Sequence, residues 1–331
     1  MINVVAPHRT DKKQVLFSIL IPAYKDCFLK ECIDSILDQT YNCFEIIIVD
    51  DASPYNIFSI ISQYDDKRIR YYRNKEGFGA FDVVGNWNKC LSYASGDYVI
   101  CMGDDDKLAP NCLEDYLSLI IKYPQLQVYH TRTLIIDENS NVIRIQEQRP
   151  EYESGYSLLW HRWNGRLWQY IGDFLYKRQS LLDNGGFYKL PFAWASDDIS
   201  AVRAALQGGI ANTVRPGFLY RVNSQTISLS TNERLKAVAT IEEKKWFSKV
   251  LLSANPTDDV DMLLLSSLKR NIDNHYKEKF LLNFRNDVSL SLLRVGYWYK
   301  MRKQYDLSAK EIFKNFMKVF TIKFERVVGL V

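Results

Sequence analysis

The residues of this chain that could do chemistry are carboxylates, and they fall in tight groups at abrupt boundaries. Gly96-Asp97-Tyr98-Val99-Ile100-Cys101-Met102-Gly103-Asp104-Asp105-Asp106 carries an apolar run straight into three consecutive acids. Three adjacent carboxylates repel one another, so a buried strand end costs them dearly unless a cation or a donor network compensates. Hard divalent ions such as Mg²⁺ and Mn²⁺ take oxygen ligands of this kind, often one or two carboxylates plus substrate phosphates. A solvated acidic turn is the competing reading, because Pro110 and the pattern Leu113, Tyr116, Leu117, Ile120, Ile121 predict a helix just downstream. A second group, Asp50-Asp51, ends the apolar run Phe44 to Val49. A third, Asp197-Asp198, opens a helix with Ile199, Val202 and Leu206 on one face, where the macrodipole alone would favour acids.

The elements that must position these groups alternate regularly. Phe17 to Tyr24 reads as a buried strand stopped by Pro22, and Asp26 can cap a helix with Phe28, Cys32, Ile33, Ile36 and Leu37 on its apolar face. Phe44 to Val49 is a second strand, and Ser53-Pro54 predicts the start of the helix bearing Ile57, Phe58, Ile60 and Ile61. Ile69 to Tyr72 is a third strand, a helix follows over about Phe81 to Ser95, and Tyr98 to Met102 is the fourth strand. Apolar strands alternating with helices imply a mostly parallel, Rossmann-like sheet covered on both faces. Ligands of such sheets bind beyond the carboxyl ends of the strands, where Asp51 and Asp104 to Asp106 both fall. That coincidence favours a site over a solvated turn.

Val128 to Ile145 predicts a hairpin turning at Asp137 to Asn141. Residues 146–170, polar but carrying Trp160, Trp163 and Trp168, predict a loop that packs near a ligand. Phe174 to Lys177 is a strand, Asn184-Gly185-Gly186-Phe187 a turn, and Val214 to Arg221 a last strand. From about Asn232 onward the chain is helical and basic, which sets the expected organisation: a leader over 1–14, a catalytic domain over 15–231, a helical region over 232–331.

No loop has the spacing of a phosphate-cradling P-loop. Gly77-Phe78-Gly79 has Asp82 where a dinucleotide fingerprint needs Gly. The four histidines are scattered, and His161, among tryptophans, reads as a packed aromatic. The six cysteines, Cys27 to Cys112, lack metal-ligand spacing and read as free core thiols of a reducing, cytoplasmic compartment. No apolar stretch reaches the length of a membrane span. The net charge of +4 hides an asymmetry: Lys269 to Val331 holds 14 basic and 6 acidic residues, or +8, leaving the remainder near −4. Within it, Ile312, Phe313, Phe316, Met317, Phe320 and Phe324 recur near helical spacing beside Lys310, Lys314, Lys318, Lys323 and Arg326. A basic helix with bulky aromatics suits a peripheral contact with an anionic membrane face; packing on the catalytic domain is the other reading. Nucleic acid is a poorer partner, because the basic residues alternate with apolar bulk.

Taken in order, SILIPAYKD, ILDQTY, FEIIIVDDAS, GDYVICMGDDD with LAP, WASDD and YRVNSQTIS resemble the family 2 glycosyltransferases of GT-A fold over roughly residues 15–230. The resemblance implies an inverting transferase that moves a sugar from a nucleoside-diphosphate sugar, usually a UDP-sugar, to a hydroxyl of a glycan or lipid-linked acceptor in surface polysaccharide synthesis. Pro22, Ala23 and Tyr24 would border the nucleotide, Asp51 would bind the base, and Asp104 would face the ribose or sugar. Asp105 would hold a divalent metal, Mn²⁺ or Mg²⁺. Asp197 would be the catalytic base, with Arg203 on the same helix and Asp198 as the alternative. The sequence departs from many relatives in having Gly103 in place of a first metal-motif Asp and Asn223 in place of His. A metal-dependent nucleotidyltransferase and a catalytically silent nucleotide-sugar binder are the competing functions.

Overall fold

The structure is a computed structural model that describes residues 14–223 and 232–327, with side chains through Ile322. The expected leader, except Val15's neighbour Gln14, and most of the YRVNSQTIS segment lie outside the described residues, as do the side chains of Lys323, Phe324 and Arg326. Strands and helices alternate first: β1 (Phe17–Ala23), α1 (Leu29–Leu37), β2 (Phe44–Asp50), α2 (Ile57–Ile61), β3 (Ile69–Arg73), α3 (Val83–Tyr93), β4 (Tyr98–Cys101), β5 (Lys107–Leu108) and α4 (Cys112–Lys122). There follow β6 (Val128–Ile136), β7 (Val142–Ile145), β8 (Tyr152–Glu153), α5 (Gly155–Trp163), β9 (Phe174–Lys177), α6 (Arg178–Asp183), α7 (Ser196–Ala205) and β10 (Ile210–Arg221). The chain then runs through α8 (Glu233–Ser253), α9 (Asp259–Leu290), α10 (Val295–Met301) and α11 (Ala309–Val327).

One sheet carries these strands in the order β3-β2-β1-β4-β9-β6-β10-β5, with β7 paired to β6 and β8 to β10. The first four are parallel, as their unbroken apolar runs require. Beyond them the sheet is mixed: β9 is antiparallel to both β4 and β6, whereas β6 and β10 are parallel. Period-two alternation divides each central strand between two cores. Phe17, Ile19, Ile21, Ile46 and Ile48 face α1 and α4, whereas Leu20, Ile47, Val49 and Val99 face α3 and the later helices. Phe247, Tyr276, Phe284, Trp298 and Val319 belong to that second core, so the helices after Asn232 continue it. Asp287, fully buried, pins them: it accepts from Arg234 of α8, from Trp298 Nε1 of α10 and from Arg294 at 2.9, 2.9 and 2.6 Å.

Three local expectations change. Asp26 does not cap α1 with its side chain, because the turn through Cys27 and Phe28 intervenes. Ser53-Pro54 does not start α2. The Ser53 hydroxyl is spent on Tyr24 O at 2.5 Å, and Asn56 caps the helix instead, accepting from Ser59 N. Residues 155–163 form α5 rather than loop, capped by Ser154, whose Oγ accepts from Ser157 N. The helices among the described residues include none long and apolar enough to cross a membrane. The cysteines are free thiols: Cys32, Cys90, Cys101 and Cys112 are buried, Cys43 is half-buried and Cys27 is exposed.

Candidate active site

The three acids after β4 are held by a donor network. Asp104 Oδ2 accepts from the backbone of Tyr24 and of Lys25, both at 2.7 Å, which ties the end of β1 to the end of β4. Asp106, buried, accepts from Arg221 N at 2.9 Å. Asp105 keeps some exposure, accepts from Asn223 Nδ2 at 2.8 Å and faces Lys25 Nζ at 3.9 Å. Burial, then the charge of Asp105, pushes the Asp104 carboxyl up to about 6 and the Asp106 carboxyl well above the ordinary range. Arg221 is the keystone under this loop. Fully buried, it donates to Asp105 O, Asp137 O, Glu138 O and Glu31 Oε2, and its guanidinium lies over the Phe28 ring at 4.2 Å. Nothing in the composition singled it out.

Gly103 has a structural reason. A Cβ there would lie 2.8 Å from Asp105 Oδ1 and 2.9 Å from Asp106 Oδ2. The two downstream carboxylates fold back over this residue, so a larger side chain would displace them. Among the described residues no group of three or more His, Cys, Asp or Glu side chains converges on one point. The set that remains for a divalent ion is one partly exposed carboxylate, Asp105, with the Asn223 amide beside it. Such a set fits an ion that takes most of its ligands from substrate phosphates and water, as Mg²⁺ commonly does.

Asp51 lies one strand over. Its carboxylate accepts from Asn74 Nδ2, Phe78 N and Gly79 N at 2.8–3.0 Å, so it fastens the loop after β3. About four lone-pair sites on a carboxylate leave one unused. The neighbouring Asp50 takes Tyr71, Arg73 and Ser53 N and is structural.

The third acidic pair is split by its partners. Arg162 of α5 grips Asp198 with two parallel bonds, Nε to Oδ1 at 2.8 Å and Nη2 to Oδ2 at 3.1 Å. Burial raises the Asp198 carboxyl, but the Arg162 charge and hydrogen bonds outweigh it and hold the group below the ordinary range. Asp197 has no such partner. Burial, then the charge of Asp198, pushes it up to about 7. Two adjacent carboxylates therefore differ in character: a paired anion and a proton acceptor tuned near neutrality. Arg203 points elsewhere, donating to Asn184 O and Gly186 O, so it anchors the turn before α7 and does not meet Asp197.

The approach to α7 is strained. Phe192, Ala193 and Ala195 all have positive φ, at 59°, 55° and 64°, a conformation that costs a non-glycine residue of order 1–2 kcal/mol. Ser196 holds the bend, accepting from Leu190 N on its hydroxyl. A cavity of about 460 Å³ joins these parts: Pro22, Tyr24, Asp104 and Asp105 form one side, Arg162, Asp197 and Asp198 the other, with Trp194 and Lys279 at the margin. Ala23 is fully buried and Asp51 sits behind the wall, so neither lines it. Arg162 and Lys279 went unread in the sequence; only the tryptophans around Arg162 hinted that the segment packs near a site. His161 packs edge-on against Trp160 at 5.0 Å, away from this cavity.

Residues 18–186 match the family described as glycosyl transferase family 2. Among characterised relatives, the UDP-Glc:alpha-D-GlcNAc-diphosphoundecaprenol beta-1,3-glucosyltransferase WfgD of Escherichia coli is 32% identical over 128 residues, 38% of this chain and 49% of that one. The chain spans between about a third and a half of the length of the curated relatives it matches first. In fold it is similar to Staphylococcus aureus TarS, crystallised with UDP-GlcNAc, at a TM-score of 0.63 and 15% identity over 95% of this chain and 92% of that one. It is also similar to the mannosyltransferase PcManGT of Pyrobaculum calidifontis, solved with GDP-Man and Mn²⁺, at a TM-score of 0.54 and 14% identity over 92% and 86% of the two chains. A parallel α/β half ending in acidic loops, a carboxylate-bearing helix facing them, and a family match over half its length give one conclusion: the chain belongs to glycosyl transferase family 2.

Proposed function

We propose that this chain is an inverting glycosyltransferase that moves a sugar from a nucleoside-diphosphate sugar, a UDP-sugar in the first instance, to a hydroxyl of a glycan or lipid-linked acceptor. The observation that carries the reading is Asp197: a carboxylate tuned to about 7, without an ion-pair partner, lining the same cavity as Asp104 and Asp105. In this reading Asp197 takes the proton from the acceptor hydroxyl, whose oxygen attacks the anomeric carbon while the bond to the diphosphate breaks on the far side. Positioned general-base catalysis of this kind contributes about 10²–10⁴-fold. Asp198, held anionic by Arg162, keeps Asp197 basic and does not itself accept the proton.

On the opposite side, Pro22 and Tyr24 border the nucleotide and Asp104 faces the ribose or sugar, while Ala23 and Asp51 support that wall from behind, Asp51 by holding the loop at Phe78 and Gly79. Asp105, with Asn223 beside it, would hold the divalent ion, Mn²⁺ or Mg²⁺, which when bound supplies Lewis-acid stabilisation of the departing diphosphate. Lys25, 3.9 Å from Asp105, adds a positive charge of the protein's own to that end. The structures of UDP-GlcNAc-bound TarS and GDP-Man-bound PcManGT support a nucleotide-sugar partner, and WfgD supports a lipid-linked acceptor. A silent binder is less well supported, because such a protein has no use for an unpaired, tuned Asp197 set behind a strained bend.

The test is release of nucleoside diphosphate from a panel of UDP- and GDP-sugars, with Mn²⁺, with Mg²⁺ and with chelator. Turnover of one donor that chelator suppresses and either ion restores is the expected result. Binding without turnover would favour the silent binder, and pyrophosphate release from a nucleoside triphosphate the nucleotidyltransferase.

The proposal includes a peripheral membrane contact through the basic C-terminal helices, on the cytoplasmic face. Packing takes one side of α11: Ile312 and Val319 are buried, and Asn315 accepts from Arg285 of α9 at 2.8 Å. The other side presents Phe313, 65% exposed, with Met317 and Phe320 also exposed among Lys310, Lys314 and Lys318. Aromatics flanked by lysines suit the interface of an anionic bilayer.

A further inference from the structure

A second cavity, also of about 460 Å³, opens where α5 crosses α9. That volume lies within the usual span of ligand pockets, about 300–1,000 Å³. Trp160 and Trp163 of α5 and His275 of α9 line it, the His275 ring stacked on Trp163 with centroids 4.4 Å apart. Trp160 is fixed across the gap by its indole Nε1, which donates to Ser267 Oγ at 3.1 Å. The rim is polar and open, with Asn271 and Glu278 exposed two turns apart on α9. His275 Nε2 is buried with no hydrogen-bond partner among the described residues. Burial, then the charge of Lys279, lowers this ring to about 3, so it is neutral; its other nitrogen engages the Trp163 backbone, which leaves Nε2 as an acceptor. Lys279 lines both cavities, so the two share a wall.

We propose that this cavity is a saccharide subsite, holding a sugar unit of the acceptor chain remote from the hydroxyl that reacts. The inference rests on the glycosyltransferase reading for its role, though not for the binding itself. A pyranose has a C–H face that packs on an indole and a rim of hydroxyls that both donate and accept. Tryptophan walls with amide, hydroxyl, carboxylate and neutral imidazole groups match that mixture. A lipid chain needs a continuous apolar wall, which the polar rim interrupts; the sugar face packs on Trp160, because His275 already covers Trp163. Lys279, pinned by both oxygens of Glu243 at 2.7 and 2.6 Å, stands in the wall shared with the cavity that holds Asp197.

The experiment titrates ¹⁵N-labelled full-length protein with cellotetraose, maltotetraose and chitotetraose at millimolar concentration and follows the Trp160 indole N–H signal. Saturable displacement of that signal by at least one tetrasaccharide is expected, with at least tenfold weaker binding in Asn271→Trp, which fills the groove from an exposed helix position. No displacement by any of the three, or displacement undiminished in Asn271→Trp, overturns the proposal. Donor hydrolysis without acceptor, measured on the same variant, is expected to be unchanged. Its absence from the wild type as well would remove the glycosyltransferase reading while leaving the tetrasaccharide titration to stand or fall on its own.

Discussion

At the scale of single residues the account turns on two aspartates that share a peptide bond and differ in protonation. Asp197 is competent as a base only when ionised, so turnover should rise with pH through about 7 and level off above it. Stability runs the other way. Its folded pKa is raised, so between the ordinary carboxylate range and about pH 7 the unfolded chain releases a proton that the native chain keeps, and stability falls as pH rises through that window. Asp197→Asn, neutral throughout, should therefore melt higher than wild type at pH 8 and about equally at pH 4, which thermal unfolding at both values checks. Asp198 has the opposite sign, its stabilising charge being lost as pH falls. Arg162→Met should destabilise by about 3–5 kcal/mol, because it leaves a buried carboxylate unpaired. Gly103→Asp, which restores the motif of many relatives, should not add a metal ligand here. Its Cβ meets two carboxylates under 3 Å, so a loss of about 1–3 kcal/mol is expected with no gain in Mn²⁺ affinity by calorimetry.

At the scale of elements, the strand ends and the bend before α7 do the positioning. Ala195 sits at φ 64°, so Ala195→Gly should be neutral or stabilising by up to about 1 kcal/mol, whereas Ala201→Gly within the same helix should cost about 1 kcal/mol or more. Equal losses from both in denaturant titration would contradict strain at the bend. Much of this layer was legible. Apolar runs of fixed length gave β1, β2 and β4, and their acidic ends fell at one edge because parallel strands share a direction. The Val128 to Ile145 hairpin followed from its turn residues. What stayed hidden was set by side-chain partners distant in sequence. Arg162 and Asp198 lie 36 residues apart and Arg221 and Asp106 115 apart, and no local pattern encodes such pairings. Arg203 shows the converse: a spacing that fits a family pattern while the side chain bonds to the turn at Asn184 to Gly186.

At the scale of the whole molecule, the division expected near Asn232 is a change of composition across a continuous core. Composition reads hydropathy and charge residue by residue, whereas the core is shared because α8 and α9 pack on the face of the sheet opposite α1. That packing carries Lys279 to the cavity and leaves one face of α11 outside. Co-sedimentation should find the full chain on vesicles of phosphatidylglycerol and phosphatidylcholine at low salt and not on phosphatidylcholine alone, with binding falling as salt screens the lysines. Phe313→Glu with Lys314→Glu, both exposed, should reduce it several-fold. Absence at low salt, or indifference to the double change, would leave α11 as packing alone.

In the function proposed above the parallel half would supply the donor side and α7 the base, and its central claim is that Asp197, and not its neighbour, takes the acceptor proton. It is tested by comparing Asp197→Asn with Asp198→Asn for donor affinity by calorimetry and for turnover at pH 8 with Mn²⁺. The account predicts wild-type donor affinity and a loss of about 10²–10⁴-fold in kcat for Asp197→Asn. A mild effect from Asp197→Asn beside a crippling one from Asp198→Asn, at unchanged stability, would contradict it.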